Sequence, residues 1–221
     1  MTVNERTASF IDLYDKGNCP FLDKLETESL EAQIPIIRRG TQSCLRFLIK
    51  LTKPKRILEI GTAVGFSALL MSEAADEDAH IDTIESYEKR ITKARENFSL
   101  AINEGQCRMD PERITLYEGD ASDILKSLDA GYDMIFMDAA KAQYIVWLPE
   151  VIRLLKTGGL LVSDNVLQDG DVIESRFAVT RRNRTIHSRM REYLYELNHR
   201  DDLQTVILQT GDGMTLSTKL V

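Results

Sequence analysis

The chain has no apolar run approaching the eighteen or so residues that a membrane-spanning helix needs. Its opening stretch, "MTVNERTASF", puts polar residues where a secretory leader would carry an apolar core, so cytoplasmic residence is the expectation. Cys19, Cys44 and Cys107 are widely separated, which excludes the close spacing of a zinc site or a redox pair and leaves buried thiols as the expected state. An excess of positive charge is also missing: 28 Lys and Arg stand against 35 Asp and Glu, a net charge of −7. That balance gives no general reason to expect a nucleic-acid partner, although a locally basic site remains compatible with it.

What is present is an ordinary globular balance, 43% apolar and 29% charged, which argues against disorder. With 221 residues the chain has room for one substantial core, and a single domain over 1–221 is expected. Residues 4–51 read as helical, an N-terminal cover interrupted near Pro35, which restricts Ile34 and lacks an amide donor. From Arg56 onward short apolar runs, "RILEI", "HIDTIE", "ITLYEG", "YDMIFMD" and "GLLVSDN", alternate with helical patterns near 66–75, 88–102, 121–128 and 142–156. This alternation predicts an α/β fold with a mostly parallel, doubly wound sheet. "KTGG", Lys156 to Gly159, is expected to stop a helix before the fifth strand. A longer helical region follows residue 170, with Ile186, Met190, Tyr193, Leu194 and Leu197 on one side, and two strands around Gly211-Asp212-Gly213 are expected to run antiparallel.

Chemistry concentrates at the strand ends. "LEIGTAVGFSALLM" carries Glu59, then Gly61 and Gly65, where a strand turns into a helix whose first amides are free for a ligand. The spacing matches neither the dinucleotide fingerprint nor the phosphate loop. Glu85, 26 residues beyond Glu59, closes the second strand, where an acid can accept both hydroxyls of a ribose; Asp120 and Asp138 follow the third and fourth. A rim of acids suits a cofactor with a positive centre and no phosphates, and S-adenosylmethionine has that chemistry. The bland alternatives are packing glycines, a solvated strand end at Glu85 and a helix cap at Asp120.

Asp164 and Asn165 end the fifth strand and can approach Asp138 at the common edge. Two carboxylates and an amide oxygen suit magnesium; zinc would want a cysteine or histidine. Lys141, in "FMDAAKAQY", is a candidate general base. Lysine's ordinary pKa of about 10.4 is too high for that task, but a nearby cation lowers the cost of its neutral form. Orienting the substrate or forming a surface ion pair are the alternatives. Tyr144 and Trp147 are read either as a wall for a planar ring or as packing of the following helix. Residues 176–191, "RFAVTRRNRTIHSRMR", hold six arginines and no acid, a candidate for phosphate contacts or equally the solvated side of a helix.

"EIGTAVGFSA", "FMDAAKAQY", "GGLLVSDNVLQDG" and "GDGMTLSTK", in this order, resemble the magnesium-dependent O-methyltransferases related to the catechol and caffeoyl-coenzyme A enzymes. The resemblance implies a Rossmann-like class I methyltransferase fold, a seven-stranded sheet with its last strand antiparallel, and a homodimer. It implies cofactor contacts from Glu59, Gly61, Gly65, Ser67, Glu85, Asp120, Ala121 and Asp138, metal ligation by Asp138, Asp164 and Asn165, and Lys141 beside the acceptor hydroxyl. Within the family the chain is most similar to bacterial tRNA 5-hydroxyuridine methyltransferases, which make 5-methoxyuridine at the wobble position. Gln168-Asp169 departs from the Phe-Arg pair common there. The expected partner is then tRNA, touched by Arg181, Arg182 and Arg184. A small catechol or hydroxycinnamoyl acceptor is the alternative, since it satisfies the same metal chemistry. A noncatalytic adenosylmethionine-binding RNA protein is a third possibility, distinguished by binding without methyl transfer.

Overall fold

A computed structural model describes residues 3–102 and 107–221. Three helices open the chain: α1 (Val3–Asp12), α2 (Pro20–Glu31) and α3 (Arg39–Thr52). The break expected at Pro35 is the linker 32–38. Then come β1 (Arg56–Ile60), α4 (Phe66–Ala74), β2 (His80–Glu85), α5 (Glu88–Ala101), β3 (Ile114–Glu118), α6 (Ala121–Ser127) and β4 (Tyr132–Met137). The chain closes with α7 (Tyr144–Leu154), β5 (Leu155–Asp164), α8 (Arg184–His199), β6 (Leu203–Leu208) and β7 (Met214–Lys219). The seven strands lie in the order β3-β2-β1-β4-β5-β7-β6, parallel except where β7 pairs antiparallel with β5 and β6. This is the class I methyltransferase-type, Rossmann-like sheet flanked by N-terminal helices.

Why the central strands β1, β4 and β5 carry mostly apolar, buried residues follows from the layers. Alternate residues point to opposite faces, and both faces are covered. Ile57, Met134 and Phe136 join one core with Leu22, Leu45 and Ile49 of the N-terminal helices and Phe66 and Leu69 of α4. Leu58, Ile135 and Met137 join the other, with Leu125 of α6, Leu148 and Val151 of α7, and Met190 and Tyr193 of α8. The stripe of α8 is His187, Met190, Tyr193 and Leu197; Ile186 and Leu194 sit at its half-buried margins. Among the described residues no helix is long and apolar enough to cross a membrane.

Three sequence expectations change. "KTGG" does not end a helix: α7 stops at Leu154, and Lys156–Gly159 lie within β5, where pairing jumps from Tyr132–Leu155 to Met134–Leu160 and the extra residues bulge outward. The helix expected soon after residue 170 starts only at Arg184, behind a run of turns. Finally, two of the cysteines are not thiols. Cys19, at the N-cap of α2, is bonded to Cys107, 88 residues away, with the Cα atoms 5.8 Å apart; Cys44 is free and half-buried. Sequence spacing cannot reveal such a pair, because only the fold brings the α2 entry against the connection before β3. Alkylation of the unfolded, unreduced chain is therefore expected to label Cys44 alone, and intact-mass spectrometry showing three labels would overturn the pairing.

Candidate active site

Strand order reverses between β1 and β4, and open α/β sheets form a crevice at such a point, outside the carboxyl ends of the strands. Here the crevice is a cavity of about 680 Å³. Gly61, Glu85, Asp120, Ala121, Asp138, Lys141 and Asn165 all line it, so seven of the predicted site residues converge. Ser67 lines a smaller adjoining pocket. Glu59, Gly65 and Asp164 lie behind the wall.

The two glycines have different jobs. Gly61, with φ +111°, leaves β1 so close to β4 that a Cβ would overlap the Asp138 carbonyl. Gly65, the N-cap of α4 at φ +85°, is needed because a Cβ would meet the Phe98 ring at 2.6 Å. It serves packing rather than ligand approach. Glu85 is fixed by three amides: Oε2 accepts from Ala63 and Oε1 from Ser86 and Tyr87, each at 2.9 Å. Asp120 does cap α6, accepting from the Ser122 amide at 2.7 Å, and hydrogen bonding from Ser122 holds its carboxyl below the ordinary carboxylate range. Cap and rim residue coincide. Trp147 donates to Ser122 Oγ at 3.0 Å at the edge of the same cavity.

Beneath this floor Glu59 is fully buried and accepts from the hydroxyls of Ser67 and Thr83. Burial pushes its carboxyl up to about 7. Its contacts tie β1 to α4 and β2.

The other end of the cavity carries the second constellation. Lys141 Nζ lies 2.6 Å from Asp138 Oδ1 and 2.9 Å from Tyr144 Oη. Tyr144 is completely buried; its hydroxyl donates to Met137 O at 2.8 Å and accepts from the Ala139 amide at 3.3 Å, so it is a joint between strand end and helix rather than a ring wall. Asp164 Oδ1 accepts from the Asn165 amide at 2.9 Å and the Thr41 hydroxyl at 3.2 Å. Burial first, and the negative charge of Asp138 second, push the Asp164 carboxyl up to about 6. Among the described residues no three His, Cys, Asp or Glu side chains cluster to hold a metal. Asp138 and Asn165 line the cavity, and Asp164, bonded to the Asn165 amide, lies behind them.

Sequence reasoning missed the contribution of the N-terminal linker: Pro35, Ile36 and Arg38 line the cavity too. Pro35 signalled the break but not its destination. Arg38 Nη2 pairs with Asp169 Oδ1 at 2.9 Å, and the Asp169 amide donates to Asp212 Oδ1 at 2.5 Å.

The sequence profile of the O-methyltransferase family matches residues 16–220. The chain belongs to that family. A catechol O-methyltransferase of Mycobacterium tuberculosis is 31% identical over 170 residues, 75% of this chain and 73% of that protein. Caffeoyl-CoA O-methyltransferase 2 of Populus trichocarpa is 31% identical over 186 residues, 80% and 71% of the two chains. A catechol O-methyltransferase of Niastella koreensis reaches 35% identity over 134 residues, and there the chain spans only 58% of the relative's length. Among solved structures, methyltransferase PaMTH1 of Podospora anserina, with SAH bound, superposes with a TM-score of 0.83 at 27% identity, covering 100% and 98% of the two chains.

These relatives overturn the tRNA expectation, because they are catechol and caffeoyl-CoA enzymes rather than tRNA-modifying ones. The arginine run has a physical explanation within this family fold. Arg184 Nε donates to Val179 O at 3.4 Å, Arg189 to Ala142 O at 3.0 Å and Arg191 to Val172 O at 2.9 Å. Half of the six therefore hold their own chain's carbonyls. Arg181 and Arg182 are exposed and, like Arg184, do not line the cavity.

An acid whose folded pKa is raised takes up protons on folding between its unfolded and folded values, so stability falls as pH rises through that interval. For Glu59 the interval runs from 4.5 to about 7. Wild-type urea midpoints are expected to drop between about pH 5 and about pH 8 by more than those of Glu59→Gln; equal drops would show that Glu59 titrates normally.

Proposed function

We propose that the protein transfers a methyl group from S-adenosylmethionine to one hydroxyl of a small aromatic acceptor bearing neighbouring oxygens, of the catechol or hydroxycinnamoyl class, with help from a divalent metal. The observation that carries this is the meeting, in one cavity, of an acid-rimmed end at Glu85 and Asp120 with an oxygen-donor end at Asp138 and Asn165. The catechol and caffeoyl-CoA relatives support the acceptor class. Residues 1–221 are treated as one catalytic domain, with 1–51 as its cover.

The residues fit both groups. Glu85, held by three amides, keeps a fixed carboxylate toward a ribose, and Asp120 and Ala121 border the adenosine end. Adenosylmethionine supplies a methyl made electrophilic by its sulfonium. Ser67 lines the smaller pocket that adjoins the cavity at Gly61, where the amino-acid tail would lie, and Glu59 beneath it accepts from the Ser67 hydroxyl. At the other end, Asp164, whose ionisation is opposed by burial and by the neighbouring charge of Asp138, stands with Asp138 and an amide oxygen in a site suited to a hard cation. Asp138, Asp164 and Asn165 would hold magnesium there, which as a Lewis acid makes an acceptor hydroxyl easier to deprotonate. Lys141 Nζ, held between Asp138 and Tyr144, is the group of this chain placed to take up that proton. Alignment of acceptor oxygen and donor methyl by fixed walls is the main contribution of the fold to the rate.

Incubation with adenosylmethionine and caffeic acid or catechol should give a monomethyl ether, lost with a chelator and restored by magnesium; no product from any vicinal diol would reject the assignment. Lys141→Ala is expected to lower kcat by about a hundredfold to ten-thousandfold while leaving adenosylmethionine affinity unchanged. Kinetics showing kcat within a factor of about three of wild type would remove Lys141 from the proton-transfer role.

A further inference from the structure

Hydroxyls in helices have a local option, the carbonyl four residues back. Thr27, Ser29, Thr52 and Thr92 all take it, at 2.9, 2.7, 2.8 and 3.0 Å. Thr41 does not. It is fully buried in the first turn of α3, and its hydroxyl reaches across 123 residues of sequence to Asp164 Oδ1 at 3.2 Å.

The backbone is shaped to allow this. A Cβ on Gly211, in the turn between β6 and β7, would come within 2.9 Å of Thr41 Oγ1, and one on Gly40 would press Thr210 Cγ2 at 3.1 Å. Two glycines thus let the start of α3 sit directly on the turn between β6 and β7, beside the end of β5. With the Asn165 amide at 2.9 Å, the Thr41 hydroxyl gives Asp164 Oδ1 two donors, which fixes the rotation of the carboxylate about its own axis. The other oxygen, Oδ2, accepts from neither donor and is the one that would be left for a cation.

We infer that Thr41 is a positioning residue for the metal site: through it the N-terminal helices, rather than the sheet alone, set the orientation of Asp164. This rests on the metal assignment proposed above. Outer partners of metal ligands act in this way, and their loss typically costs about ten- to a hundredfold in metal affinity.

Manganese(II) is the probe, titrated into full-length protein and followed by the electron paramagnetic resonance signal of the free ion. Thr41→Val keeps the shape and removes the hydroxyl; Thr41→Ser keeps the hydroxyl. The expected result is a loss of about ten- to a hundredfold in manganese affinity for the valine variant. The serine variant should bind like wild type, and adenosylmethionine affinity should be the same in all three. Should the valine variant fail to fold, Thr41→Ala against Thr41→Ser gives the same comparison. Manganese binding by the hydroxyl-free variants equal to wild type would overturn the inference while leaving the metal assignment standing. A parallel fall in manganese and adenosylmethionine affinity would also overturn it, since that is the mark of a general packing defect. Wild-type protein that binds no manganese would remove the metal assignment, and this inference with it.

Discussion

The contact on which the site depends is the near-collision of two backbones at the switch point of the sheet. β1 and β4 are hydrogen-bonded neighbours, and Gly61 leaves the first strand against the carbonyl of Asp138 at the end of the second. No side chain fits between them. That closeness brings an acidic rim at the ends of β2 and β3 to the same cavity as the donors contributed by β4 and β5. Glu85 and Asp120 are then elaborations of the strand ends, held by backbone amides of the turns that follow the strands.

The two ends of the cavity are stiffened differently. At the adenosine end, Glu85 and Asp120 are anchored by main-chain donors from the turns they belong to. At the acceptor end the anchors are side chains: Tyr144 joins the start of α7 to the nearby end of β4, and Thr41, 123 residues away in sequence, joins α3 to β5. The second arrangement gives acceptor geometry a sensitivity to distant packing that donor geometry lacks.

Strand positions were legible in the sequence because burial on both faces forces continuous apolar runs, and the rim acids because each ends such a run. Asp138, Lys141 and Asn165 were found for the same reason, and they do share one cavity. What escaped was everything set by approach between elements distant in sequence. Gly65 looked like a ligand-binding glycine but answers to the Phe98 ring, and Glu59 looked like a rim acid but lies buried beneath it. The arginine run looked like a phosphate surface because a sequence does not say which guanidinium groups find carbonyls of their own fold. Three do, and relatives acting on catechol and caffeoyl-CoA settle the matter against RNA. Thr41 carried no signal at all, since nothing in "RRGTQS" distinguishes it from a hydroxyl bonded within its own helix.

The covalent link between Cys19 and Cys107 divides the polypeptide unevenly. It closes a ring of 88 residues' separation that contains α2, α3, β1 and β2 and leaves β4 and β5 outside. A denatured chain carrying that ring has lost of order 4 kcal/mol worth of conformational freedom. The saving falls on the part that carries Gly61 and Glu85, while Asp120, Asp138 and Asp164 lie outside it. The acceptor half has no such tether and must find its place by packing alone, which makes it the part of the molecule most exposed to partial opening.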